Sequence, residues 1–299
     1  MRSPNRLHDR LSFYKYMTVA TARAILTNCT LRWSSPVRFN DPFDVPRELA
    51  FGIEPQEFVG ASGRRMRRLI EEPPEDTTQL SPKLRQIVET AKNGISPELK
   101  AELLAGIADV TSSSTPSGAA MNELRELWRT WLPDYRILCL TESPSHVAMW
   151  HHYADEYRGV VLEFKCVDET DSAWLAARPV TYPPQKPSVY TADGWAEILT
   201  LLPEAAIRAM LDAATYTKSP DWSYESEWRI ASFKRPTDTG DFSDYGFHRQ
   251  ELGAVYFGPM ISPDERLALR IAAGAFPAAK LWDVRIGMSR EFTFDAADA

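Results

Sequence analysis

The chain has 299 residues, enough for one large core or two smaller ones. Its 34 basic and 41 acidic side chains give a net charge of −7, which argues against the broad basic footprint of a nucleic-acid binder. No apolar run approaches the ~20 residues of a membrane span, and Cys29, Cys139 and Cys166 make neither a C-x-x-C motif nor a disulfide framework. A cytoplasmic protein that does not contact a membrane is expected. Met1 through Arg6 is basic but has no apolar signal core after it.

In chain order, Phe13 to Met17 reads as a short strand. Thr18 or Thr21 caps a helix through Asn28, with Val19, Ala22, Ile25 and Leu26 as its apolar stripe. Thr30 to Ser35 alternates like a strand, placing Leu31 and Trp33 on one face, and Pro36 ends it. Arg38-Phe39-Asn40-Asp41-Pro42-Phe43-Asp44 follows as a turn-rich loop, since Asn and Asp bond nearby backbone and Asp-Pro opens turns.

Between residues 47 and 133 the composition turns to Glu, Arg, Lys, Leu and Ala. Breaks fall at Pro73-Pro74, Asn93-Gly94 and Ser112 through Pro116. This stretch reads as a helical module inserted into a single α+β domain spanning 1–299. Its Leu124, Leu127, Trp128 and Trp131 stripe fits core packing.

Strands return at Arg136 to Thr141 and Val160 to Phe164, with a helix from Val147 to Tyr157 between them and Ser145 as its candidate cap. A strand around Arg178 to Tyr182, a helix from Asp193 to Ala214, and strands at Gly253 to Gly258 and Leu281 to Ile286 complete the pattern. A helix starting at Ser262-Pro263 lies between the last two. Strands mixed with helices, without strict alternation, define an α+β class with central mixed or antiparallel sheets.

The densest chemistry lies in Trp222-Ser223-Tyr224-Glu225-Ser226-Glu227-Trp228-Arg229-Ile230. On one strand, Glu225 and Glu227 share a face and Tyr224, Trp228 and Ile230 take the other. Two like charges on one face need a cationic or polar partner. An edge strand with a solvated acidic face, paired to Arg229, satisfies the same pattern.

Other chemistries find less. His151 and His152 are adjacent, so a helix points them apart. There is no G-x-S-x-G elbow, no Walker loop and no G-x-G-x-x-G. What remains are aromatic-polar clusters: Tyr14-Lys15-Tyr16, Phe39 through Asp44, Trp150 with His152 and Tyr153, and the Glu225–Arg229 stretch. Aromatic faces with carboxylates suit a flat, hydroxyl-rich ligand such as a nucleotide. They serve equally as turn-shaping and core-packing groups.

These clusters, in this order, resemble the bacterial family DUF2971. The elements carrying the likeness are Phe13-Tyr14-Lys15-Tyr16, Leu31-Arg32-Trp33-Ser34-Ser35-Pro36, Phe39-Asn40-Asp41-Pro42-Phe43-Asp44, Met149-Trp150-His151-His152-Tyr153-Ala154, Tyr157-Arg158-Gly159 and Tyr224-Glu225-Ser226-Glu227-Trp228-Arg229. The likeness covers residues 11–46 and 135–275 and leaves out 47–133. The chain is also similar to ADP-ribosyltransferases. These have an early aromatic or basic strand, a Ser/Thr strand after a helix, and a late strand with Glu-x-Glu. Tyr14 to Tyr16, Ser34 with Ser35, and Glu225 with Glu227 stand at those places. Tyr and Lys replace the early arginine or histidine of those enzymes.

The second resemblance implies a split β-sandwich, NAD as substrate, and a toxin or phage-defence effector with a macromolecular acceptor or a neutralising protein. Glu227 would stabilise charge at the ribose, and Glu225 would orient the acceptor or act as base. Tyr16, Trp33 or Phe39 would stack on nicotinamide, and Arg158 or Arg229 would meet the pyrophosphate. Two other readings stay open. One is a nucleotide-sensing or protein-binding module without turnover. The other is a metal-dependent nuclease using Asp41, Asp44 and the glutamates.

Overall fold

The computed structural model describes residues 2–48, 53–113, 118–185, 189, 191–289 and 291–297. In chain order the first elements are β1 (Ser12–Met17), α1 (Val19–Asn28) and β2 (Thr30–Ser34). Four helices follow: α2 (Pro55–Glu71), α3 (Pro82–Lys92), α4 (Pro97–Ser113) and α5 (Gly118–Trp131). Then come β3 (Tyr135–Thr141), α6 (Val147–Tyr153), β4 (Val160–Lys165), β5 (Arg178–Pro179), α7 (Ala192–Ile198) and α8 (Pro203–Thr215). The chain closes with β6 (Glu227–Phe233), β7 (Phe242–Gly246), β8 (Leu252–Phe257), α9 (Pro263–Ala273), β9 (Lys280–Ile286) and β10 (Phe292–Ala296). The class is α+β.

Two compact units divide this chain. The first comprises Met1–Asn40, Pro133–Tyr182 and Lys218–Ala299, and holds the strands. The second comprises Asp41–Leu132 and Pro183–Thr217, and holds α2 to α5 with α7 and α8. Part of the sequence break at Ser112 through Pro116 lies outside the described residues.

The first unit is built on a mixed ten-stranded sheet in the order β10-β9-β8-β4-β1-β3-β2-β7, with β6 paired to β3 and β5 to β6. β8 and β9 run parallel because α9 carries the chain back between them. Strand alternation sorts the residues into two packed faces. On one face Phe13, Leu138, Leu140, Leu162 and Ile230 pack with Ile25 and Leu26 of α1 and Leu269 of α9. On the other, Tyr16, Val161 and Tyr256 pack with Met149 and Trp150 of α6.

Several elements differ from their sequence-based expectation. The helix expected over Asp193 to Ala214 is two helices, α7 and α8. Pro203 cannot donate a helical N–H, and Leu202 before it is extended and bonds Gln79 instead. Around Arg178 to Tyr182 only Arg178–Pro179 pair as strand, since proline brings no N–H to a ladder. α6 stops at Tyr153, and His146 rather than Ser145 precedes it. Asp155, Glu156 and Tyr157 follow with φ of 48°, 50° and 70°, a left-handed run that no α-helix accommodates. Gly159 then passes so close to β1 that a Cβ would stand 2.3 Å from the Met17 carbonyl. β7 forms by pairing along β2.

Candidate functional site

Glu225 and Glu227 do not share a strand. A 3-10 turn over Pro220–Glu225 ends at Ser226, whose φ of 43° is left-handed, and β6 begins only at Glu227. The Ser219 side chain caps that turn and Pro220 opens it. Nor is the acidic face solvated. Glu225 is 3% exposed and Glu227 5%.

Burial on this scale requires partners, and the backbone supplies them in register. β3 and β6 pair Cys139 with Arg229 and Thr141 with Glu227, so these four side chains rise from one sheet face. The Arg229 guanidinium grips Glu227 bidentately, at 2.8 Å to Oε1 and 2.9 Å to Oε2. Lys218 Nζ bridges both acids, at 2.6 Å from Glu225 Oε2 and 3.2 Å from Glu227 Oε2. Tyr153 Oη donates to Glu225 Oε1 at 2.7 Å, and the Asn40 side chain donates to Tyr153. The Glu227 N–H donates to Tyr182 Oη at 2.9 Å, and the Thr141 hydroxyl donates to the Glu225 carbonyl. The Cys139 thiol adds a further hydrogen bond to Glu227.

Aromatic rings line these charges. The Arg229 guanidinium lies 5.5 Å from the Phe39 ring centre, and the Lys218 ammonium 4.9 Å from that of Trp222. Lys15 Nζ donates to the Cys139 carbonyl at 2.9 Å, where β1 and β3 pair at a single position.

The two carboxylates differ in acidity. Burial drives the Glu225 carboxyl above its usual range, and Lys218 only partly offsets this. Burial also opposes ionisation of Glu227, but Arg229 and Lys218 outweigh it and hold that carboxyl well below its usual range. Burial lowers Lys15 and raises the Tyr153 hydroxyl, the latter further raised by the neighbouring Glu225. It also lifts Tyr182 to about 12.

Of the residues singled out in the sequence, Lys15, Phe39, Asn40, Tyr153, Glu225, Glu227 and Arg229 converge here. The others are placed elsewhere. Tyr14 meets Tyr256 edge-on at 6.1 Å, within the aromatic cluster under α6. Tyr16 is buried and ties down the loop before α6, donating to the Ser143 carbonyl and accepting from the His146 N–H. Trp33 packs in the core against Tyr245. Ser34 pairs with Ile137 and Phe242, and Ser35 caps a 3-10 turn. Trp150 is fully buried and donates to the Pro144 carbonyl. His152 is exposed, edge-on to the rings of His151 and Tyr153. Arg158 is an exposed partner of Asp155 and Glu156. Asp41 and Asp44 belong to the second unit, where Asp41 accepts the Phe43 N–H in a local turn.

Lys218, Tyr182 and Cys139 escaped the sequence reading. Only Lys218 left a signal: paired buried acids need more than one cation, and Lys218 is the nearest other basic residue before them.

Among the described residues no three His, Cys, Asp or Glu side chains are placed to hold a metal ion. No described helix is long and apolar enough to cross a membrane.

Fold and site together define an α+β protein with a buried, ion-paired Glu-x-Glu centre at the start of a strand. Residues 149–230 match the family described as Protein of unknown function (DUF2971). That span holds α6 from Met149 on and the Lys218–Arg229 constellation. No curated protein and no solved structure matches the chain.

Proposed function

We propose that this chain is an NAD-using, ADP-ribosyltransferase-like enzyme centred on Glu225. The observation that carries the reading is a pair of neighbouring buried carboxylates held differently. Arg229 and Lys218 clamp both oxygens of Glu227, whereas one oxygen of Glu225 meets only the neutral Tyr153 hydroxyl, and the pKa of Glu225 is driven upward and that of Glu227 downward. Such a split separates a proton-handling group from a fixed anion. Glu225 takes the proton. Glu227, with both oxygens engaged, fixes the buried Lys218 and Arg229 in place beside Glu225. This assigns Glu227 a positioning role and moves the reacting role to Glu225. Phe39 and Trp222 offer ring faces beside those cations. An enzyme of this kind would act as a toxin or phage-defence effector.

The test is nicotinamide release from NAD by the full chain. Native protein should release it, and Glu225→Gln should lose about a hundredfold or more of the rate while remaining folded at the assay temperature. Undiminished release by the variant would remove Glu225 from the chemistry.

A second reading is a nucleotide-binding module without turnover. It is favoured by the fact that every oxygen of the two carboxylates already accepts a hydrogen bond. Heat of NAD binding in calorimetry, with intact NAD recovered afterwards, would select it.

A further inference from the structure

The two oxygens of Glu225 have different neighbours. Oε2 is held by the Lys218 ammonium at 2.6 Å, and that same ammonium is shared with Glu227. Oε1 accepts from a single neutral hydroxyl, that of Tyr153, at 2.7 Å. Tyr153 is only half-buried, and the Asn40 that donates to it is exposed. Of the two groups bonded to Glu225, Tyr153 is thus the more exposed and Lys218 the buried one, so Oε1 is the oxygen with the more accessible partner.

A guanidinium acceptor is recognised by a carboxylate offering both oxygens to a two-pronged fork. Glu225 cannot offer both, because Oε2 carries an ammonium, and the two glutamates already have two cations, Lys218 and Arg229, to match their charge. A hydroxyl needs one oxygen and brings no charge. The Tyr153 hydroxyl already makes that contact.

We infer that the group accepting ADP-ribose at this site is a neutral hydroxyl, from an alcohol, a phenol or water, and not a guanidinium. This inference rests on the NAD-using reading. In the step it describes, the acceptor displaces Tyr153 from Oε1. Its O–H proton passes to Glu225 and its oxygen bonds the ribose carbon that carried nicotinamide. The carbon–nitrogen bond breaks with its electron pair on the ring nitrogen, so neutral nicotinamide leaves.

The experiment incubates the full chain and NAD with N-acetyltyrosinamide, N-acetylserinamide or agmatine at equal concentration. It records nicotinamide release together with adduct masses. The expected result is an O-linked adduct, or free ADP-ribose from water, exceeding the agmatine adduct by at least about tenfold. An agmatine adduct equal to or above the O-linked products overturns the inference and leaves the NAD-using reading standing. Absence of nicotinamide release with every acceptor, water included, overturns that reading and the inference with it.

Discussion

Tyr153 Oη stands 2.7 Å from Glu225 Oε1, the one oxygen of that carboxylate that Lys218 does not hold. Both residues lie within the family match, Tyr153 at the end of α6 and Glu225 at the end of the turn before β6. Removal of the contact has a direction that can be worked out. The Tyr153 hydrogen bond and Lys218 both favour ionised Glu225, and burial opposes them. Tyr153→Phe should therefore raise the Glu225 pKa further, since a hydrogen bond to a charged group contributes about 1.5–3 kcal/mol. Titration of carbon-labelled glutamate by NMR reads the shift without depending on any activity. An unmoved Glu225 resonance would mean that Tyr153 only packs there.

The ion pair beneath it answers to a different test. Arg229 is fully buried and holds Glu227 by two hydrogen bonds. Arg229→Met would leave a buried carboxylate without that clamp, at a cost of about 3–5 kcal/mol in denaturant unfolding. The double variant Glu227→Gln with Arg229→Met should recover part of the loss, because the uncompensated charge is gone. Equal losses in the single and double variants would show that shape rather than charge governs the site.

Much of this arrangement is legible in the amino-acid sequence, for a physical reason. Strand periodicity and helix caps are local, so β1, α1, β2 and α9 stand close to where their patterns put them. The aromatic-polar clusters marked Phe39, Asn40, Tyr153 and Arg229 because such mixtures are rarely left without partners. Other features depended on non-local facts. A single left-handed residue, Ser226, takes Glu225 off the strand that alternation assigns it. Lys218 is an ordinary lysine until the fold buries it between two acids. Tyr16 and Trp150 carry the composition of a site but are consumed in core packing and loop anchoring.

The left-handed run after α6 predicts a stabilising change. Non-glycine residues at such φ cost roughly 1 kcal/mol each, and Glu156 is exposed there with φ of 50°. Glu156→Gly should stabilise the chain by up to about 1 kcal/mol, losing only a surface contact to Arg158. Gly159→Ala should act oppositely, by about 1–3 kcal/mol, because its Cβ meets the Met17 carbonyl. Chemical denaturation measures both. Destabilisation by Glu156→Gly would mean that its side chain holds the turn.

His8 sets a pH dependence outside the site. Its Nε2 faces the Trp174 carbonyl at 2.8 Å, and its Nδ1 accepts the Arg10 N–H at 3.1 Å, so the folded state uses the neutral ring. Burial, helped by nearby Arg6 and Arg10, holds its pKa below the usual value of 6.5, against the Trp174 hydrogen bond. The unfolded chain therefore binds the proton first. The contribution of His8 is fully present above about pH 6.5 and is lost as pH falls from there toward the folded pKa. Glu227, held low by Arg229 and Lys218 against burial, contributes in the same sense at lower pH: its stabilisation is present above the ordinary glutamate range and lost as pH falls through the depressed value. These two contributions should thus be lost in two stages on acidification, with His146, also lowered by burial, adding to the upper stage and Glu225, raised by burial, opposing the decline. His8→Gln, which keeps a neutral polar side chain, should flatten the stage that begins below about pH 6.5 and leave the lower one unchanged. Unfolding free energies across that range decide it, and a variant that declines as steeply as the native chain would place the upper stage on another group.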